Sequence, residues 1–470
     1  MTRPGVDASR SGVDVSRAGA GPARGDGRGR PAGTTGPADG ERRGLEEAER
    51  VELTVDAVAP GGHCVARVDG QVVFVRHALP GERVVAEVTE VHRGFVRADA
   101  VTVLDAAPQR VAPPCPYAKP GLCGGCDLQH VAPEAQLDWK AAVVREQLRR
   151  LAGLADAEID RLGVRVEALP SGPLGWRSRV RYAVDAAGRA GLLKHRSHEV
   201  VPVDRCLIAH PAIQALPVLG RSWPAAEAVE AVASTGGDVA VTALPDGPTT
   251  RVAGSAAVPS DGSAAARVDD PATARSLDGP QTVREVAAGR EWTLPASGFW
   301  QVHPAAADTL VDAVLDLLDP QAGESAWDLY GGAGLFAAAV AARVGPDARV
   351  TVVESAGEGV AAARDNLRDL PGVEVVAARV ETALARRRVT GPVDLVVLDP
   401  PRSGAGARVV RDVVAAGPRA VAYVACDPAA FARDVRAFAD AGWELAALRG
   451  FDLFPMTRHV ELVGLLRPAR

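Results

Sequence analysis

The chain has no apolar run near the roughly 20 residues that a bilayer-spanning helix needs, which excludes such a helix. Its amino terminus lacks the apolar core of a secretory signal, and nothing in it calls for structural disulfides. A monomer of the cytoplasm, with no membrane partner, is therefore expected. No G-x-x-x-x-G-K-[ST] run occurs, so no loop is built to cradle a triphosphate. A net charge of -6 argues against a generally basic nucleic-acid binder, although total charge leaves local patches open. One patch runs from Trp176 to Arg205 and carries Arg177, Arg179, Arg181, Arg189, Lys194, Arg196 and Arg205. It reads either as a solvated strand face or as a contact for RNA.

What is present fits a large globular protein. The 470 residues, 47% hydrophobic and 24% charged, suggest about three domains. Residues 1–46 hold almost no large apolar side chain and cannot offset the entropy of ordering, so a disordered tail is expected there. Residues 47–106 change to short β-branched runs broken by Pro60-Gly61-Gly62, Asp69-Gly70 and Pro80-Gly81, the pattern of a small five-stranded barrel. Cys64, in one of these runs, reads as a core thiol. Residues 107–290 form a mixed α+β central domain, with a helix over 133–152 that buries Leu137, Trp139, Val144, Leu148 and Leu151, and with an exposed insertion at about 245–280. Residues 291–470 alternate strands with helices: strands at 325–330, 349–354, 373–378, 393–399, 420–426, 443–449 and 459–466 predict a doubly wound sheet whose last two strands pair antiparallel. The fold class is multidomain α/β.

The chemistry collects where these strands end. D-L-Y-G-G-A-G-L-F (328–336) sets Gly332 and Gly334 between a strand and a helix, where backbone can approach a ligand. The next strand ends in Glu354, placed to accept hydrogen bonds from a ribose diol. Together they point to an adenosine-bearing cofactor, and the absence of a pyrophosphate site favours S-adenosylmethionine over a dinucleotide. V-V-L-D-P-P-R (396–402) projects Asp399 from a loop stiffened by two prolines. Cys426 ends the following strand in A-C-D-P, at a helix start whose field favours thiolate. A separate constellation, Cys115, Cys123 and Cys126 with Cys206 far downstream, suits zinc or an iron–sulfur cluster equally.

These segments resemble the class I S-adenosylmethionine-dependent RNA 5-methyluridine methyltransferases, which join a small TRAM barrel (OB-like), a central domain and a Rossmann-like catalytic domain. The resemblance spans roughly residues 50–470 and is most specific at D-P-P-R, the Cys426 loop and the closing D-x-F-P-x-T-x-H-V-E, Asp452 through Glu461. It implies a seven-stranded methyltransferase sheet, Cys426 as the nucleophile that adds to uracil C6, and Glu461 as the base that removes the C5 proton. It further implies cofactor contacts from Gln301, Tyr330, Glu354 and Asp399, and a [4Fe–4S] cluster on the four cysteines. Ribosomal RNA is the implied substrate ahead of transfer RNA. The chain departs from the family pattern at Gly331, Leu335 and His303, and at Asp427, whose charge beside the thiol would oppose its ionisation. Cytosine-5 methylation of RNA and a non-catalytic RNA-binding protein are the alternatives; an intact Cys426–Glu461 pair argues against the second.

Overall fold

The computed structural model describes residues 44–245 and 275–469. The expected tail, apart from residues 44–46, and nearly all of the expected insertion lie outside them. Strands Arg50–Ala59, His63–Val68, Gln71–Arg76, Arg83–His92 and Phe95–Asp105 close into a barrel in the order first, second, third, fifth, fourth. Alternate residues such as Val73, Val75, Val84 and Ala86 fill its interior, as the period of two in each run requires. Cys64 is buried there, its thiol donating to the Ala78 carbonyl at 3.4 Å.

Helix Pro133–Gln147 begins on Pro133 and runs into a π-helical turn, Leu148–Ala152, closed by Gly153 at φ +75°. The wider turn shifts the helix phase, so Leu151, expected on the apolar face, is 37% exposed. A six-stranded sheet follows, built on Arg179–Val184, Ala226–Ala233 and Val239–Pro245. The arginines of its first strand are not a solvated face. Arg179 bonds buried Glu285 at 3.0 Å and the carbonyls of Ala296 and Gly298 at 3.0 and 2.9 Å, so it ties the sheet to the hairpin Thr282–Ala287/Arg290–Pro295.

The sheet of the last third has eight strands where seven were expected. Their order is Val373–Ala377, Val350–Glu354, Ala326–Leu329, Leu395–Leu398, Ala420–Ala425, Glu461–Pro468, Trp443–Asp452 and Val166–Ala168. The first five are mutually parallel, and the sixth and seventh pair antiparallel. The eighth comes from the central region and pairs parallel with Gly450–Asp452. Gly450 permits this, because a Cβ there would stand 2.9 Å from the Arg165 carbonyl oxygen. Leu395, Val396, Val397 and Leu398 are wholly buried between helices on both faces, each worth about 1.5–3 kcal/mol of burial. Among the described residues no helix is long and apolar enough to cross a membrane.

Candidate active site

The carboxyl edge of the sheet gathers the reactive groups. Ala425 faces Leu462 across the antiparallel pair, so Cys426 and Glu461 are the next residues in line on neighbouring strands. Glu461 is buried, and burial first, then the charge of Asp399, pushes its carboxyl well above the usual range, with Arg402 opposing. Cys426 is pushed up to about 12, by burial first and then by Glu461, again with Arg402 opposing. A thiol poised as thiolate by the helix start was expected; burial outweighs that field. Asp427 is a lesser cause of the shift than Glu461 or Asp399. Its side chain caps helix Pro428–Asp440 by accepting from the Ala430 amide at 2.8 Å, which accounts for its presence.

Beside this pair lies the glycine turn. Tyr330 (φ +66°), Gly332 (+54°) and Gly334 (+89°) all take left-handed backbone, a strained state for the tyrosine. A Cβ at Gly334 would stand 2.5 Å from Leu367 Cδ1, and one at Gly331 2.6 Å from Val352 Cγ1, so the turn is pressed against its neighbours. Glu354 accepts from the amides of Gly332 (2.9 Å), Ser355 (2.6 Å) and Ala356 (2.6 Å), which fixes its carboxylate while leaving lone pairs for a ligand. Asp328 is buried at the end of Ala326–Leu329; one oxygen accepts from the Ala337 amide at 2.9 Å, and the other has no partner among the described residues. Asp328 and Asp399 are both pushed up to about 7, by burial and then by neighbouring carboxylates. Three acids crowded at one edge, one with an orphan oxygen, suit a ligand with positive charge. A sulfonium cofactor with an amino group and a ribose diol fits that set.

Gln301 comes from outside the sheet, on a segment held by Ser178, whose amide and hydroxyl donate to the Val302 carbonyl at 2.8 and 2.9 Å. His303, two residues on, is buried and stacks on Trp176 at 6.0 Å between ring centres. Tyr330 donates its hydroxyl to Glu381 at 3.4 Å.

Two supporting groups escaped the sequence reading. Asp434 lies on the buried side of helix Pro428–Asp440 and accepts from the Tyr423 hydroxyl (2.5 Å) and the amides of Ala405 (2.7 Å) and Gly406 (3.1 Å), which shapes the loop after D-P-P-R. Lys140 is fully buried, donating to Asp452 at 2.5 Å and to the Phe454 carbonyl at 3.1 Å. With Gln136, which accepts from the Met456 amide at 2.9 Å, it clamps the segment that leads to Glu461. The signal was available: Lys140 lies at helical spacing from Leu137 and Val144, and Asp434 sits between Phe431 and Phe438.

Cys115, Cys123, Cys126 and Cys206 are free thiols, and their mutual electrostatic influence places them near one another. Burial foremost raises Cys123 to about 11 and pushes Cys126 well above the ordinary thiol value. Among the described residues no group of three or more His, Cys, Asp or Glu side chains is arranged to hold a metal ion. Cys126 and Cys206 pack against the cluster of Trp176, Ile208 and Met456, and the Leu128 amide donates to the Met456 carbonyl at 2.9 Å, so the cysteine loop abuts the closing segment.

A TRAM domain model matches residues 45–101, the barrel. An uncharacterized RNA methyltransferase of Streptomyces avermitilis is 49% identical, over 90% of this chain and 99% of its own. The 23S rRNA (uracil(1939)-C(5))-methyltransferase of Alkalilimnicola ehrlichii is 33% identical, over 91% of this chain and 99% of its own. In fold, the chain is similar to the tRNA (uracil-54, C5)-methyltransferase of Pyrococcus abyssi, solved with S-adenosyl-L-homocysteine, with TM-score 0.62, 22% identity and coverage of 88% of this chain and 100% of that one.

Proposed function

The chain belongs to the TRAM-bearing RNA methyltransferases, among which are uracil-C5 enzymes, and from that premise we propose that it makes 5-methyluridine in RNA through a transient bond between Cys426 and uracil C6. The observation that carries this is the register that sets Cys426 beside Glu461 at the edge where Asp399, Glu354 and the glycine turn converge.

Uracil C5 is a weak nucleophile. Addition of the Cys426 sulfur at C6 makes C5 enolate-like, and C5 then bonds to carbon in line with a leaving group. S-adenosylmethionine, held by Glu354, Asp399, Tyr330, Gln301 and the amides of Gly332 and Gly334, would supply the electrophilic methyl group. Glu461 then takes the C5 proton, the C5–C6 double bond re-forms, and the sulfur leaves with its electron pair. Glu461 must be ionised for that step. Burial and the charge of Asp399 push its carboxyl well above the usual range, and Arg402, which favours both carboxylate and thiolate, is the chain's own counterweight. A paired base cannot reach a buried thiol, so the target uridine must be unpaired or extruded.

Ribosomal RNA is the proposed substrate, on the strength of the Alkalilimnicola ehrlichii relative; the four cysteines, which as they stand are not arranged around a metal ion, would have to draw together to hold the proposed [4Fe–4S] cluster, with zinc as the alternative. Arg177, beside Cys126 and Cys206, would offset part of the thiolate charge. Methyl transfer needs no electron from such a group, which leaves it a structural part.

The test is incubation of the full chain with S-adenosylmethionine and RNA containing 5-fluorouridine, whose C5–F bond Glu461 cannot break. A covalent protein–RNA adduct that disappears in Cys426→Ala is expected; its absence in the wild-type protein overturns the reading.

A further inference from the structure

We propose that the barrel, the loop after the central-sheet strand Ala190–Leu193 and the segment leading to Glu461 together form a binding site for an RNA backbone phosphate, built from Arg97, Arg196 and Arg458 over His63 and His195. This rests on the RNA reading above and says where the strand is gripped.

Arg97 stands on the barrel strand Phe95–Asp105, Arg196 follows the strand Ala190–Leu193 at φ +52°, and Arg458 lies three residues before Glu461. The His63 and His195 rings lie 6.4 Å apart, and after burial Arg76, Arg196 and Arg458 depress the basicity of both, with Arg97 acting on His63, so the guanidinium groups gather around this pair of rings. They share three carboxylates. Glu90 pairs with Arg97 (2.5 Å) and Arg196 (3.6 Å), Asp127 with Arg76 and Arg458 (both 3.8 Å), and Asp99 with Arg76 (3.9 Å). Positive charge is left over, and Arg97, Arg196 and Arg458 keep 22%, 38% and 42% of their side chains exposed.

The floor of the site holds unspent hydrogen-bonding groups. His63 is only 4% exposed, yet its Nε2, the Nε2 of His195 and the Nε of Arg76 are buried with no partner among the described residues. Leaving such buried groups unpaired is unfavourable. Phosphate oxygens are acceptors of the right sign. The walls are drawn in by glycine: a Cβ at Gly61 would stand 2.9 Å from His63 Nδ1 and 3.6 Å from Arg458 Nη1, and one at Gly124 2.5 Å from the His195 backbone. Next to Arg97, Phe95 stacks on His92 at 4.5 Å and 25°, with the Arg97 guanidinium 5.2 Å from the Phe95 ring centre. An aromatic pair beside a cationic site is what an unpaired nucleotide offers both halves of itself to: base to ring, phosphate to arginine.

The experiment is anisotropy of labelled single-stranded ribosomal RNA fragments with the full chain, titrated across KCl concentrations, for Arg97→Gln, Arg196→Gln and Arg458→Gln. Arg349→Gln, whose side chain is 74% exposed and paired with Glu374 at the far edge of the sheet, is the control. Each of the three should bind roughly tenfold more weakly at low salt and lose about 0.7 from the slope of log affinity against log salt, while the control keeps both. Lysine at the same positions should restore the slope. Unchanged slopes overturn the inference, as does a loss that lysine does not restore and that tracks a lowered melting temperature. Adduct formation with 5-fluorouridine RNA, measured on the same preparations, separates the two readings. An adduct with unchanged slopes sinks only the phosphate site, and changed slopes with no adduct sink only the catalytic reading.

Discussion

Cys426 in the free protein should resist alkylation at neutral pH. Its pKa of about 12 lies three units above the ordinary 9.0, which means roughly a thousandfold less thiolate at pH 8. Because the shift is upward, ionisation is delayed to high pH: alkylation by iodoacetamide should climb about tenfold per pH unit from 7 to 9 and show no plateau below pH 10. Glu461 is the largest electrostatic cause, so Glu461→Gln should move the whole profile to lower pH. S-adenosylmethionine should speed alkylation at pH 8 more than S-adenosylhomocysteine does, since only the former carries sulfonium charge close to the acids at the sheet edge. Mass spectrometry of the peptide holding Cys426, with Cys426→Ser as blank, gives the rates free of the other five thiols. A wild-type plateau below pH 9, or an upward shift in Glu461→Gln, would refute the assignment of burial and Glu461 as the controlling causes.

Glu461→Ala should form the adduct with ordinary uridine RNA and S-adenosylmethionine but fail to release it, giving a persistent crosslinked band on a denaturing gel and no turnover. Lys140→Met strands Asp452 as a buried, unpaired charge and should cost about 3–5 kcal/mol in urea unfolding, much of it recovered by adding Asp452→Leu. Gly334→Ala places a methyl group 2.5 Å from Leu367 Cδ1 at φ +89°, so cofactor binding measured by calorimetry should fall at least tenfold, a loss of about 1.4 kcal/mol.

The strands of the last third were legible because each is a short β-branched run between helical stretches, and the barrel because Gly-Gly and Asp-Gly turns punctuate its strands. The line of acids and the thiol could be read from strand ends alone. Val166–Ala168 could not, since three residues without alternation carry no period and gain their partner only from Gly450 across the fold. Arg179 defeated a charge-based reading for a related reason: its acid, Glu285, is distant in sequence. The state of Cys426 was misjudged because a helix start is visible in A-C-D-P, whereas burial by strands from elsewhere is not. The proposed phosphate site is likewise invisible in the sequence, as His63, His195 and Arg458 share no motif.

The segment before Glu461 has its bonds with Gln136, Lys140, Asp127 and Leu128, all contributed by the first third of the chain. A fragment cut out at residue 291 would keep the glycine turn and its acids yet leave Glu461, the proposed proton acceptor, on an untethered hairpin. Such a fragment should capture S-adenosylhomocysteine without turning over RNA, and this enzyme cannot be whittled down to its sheet.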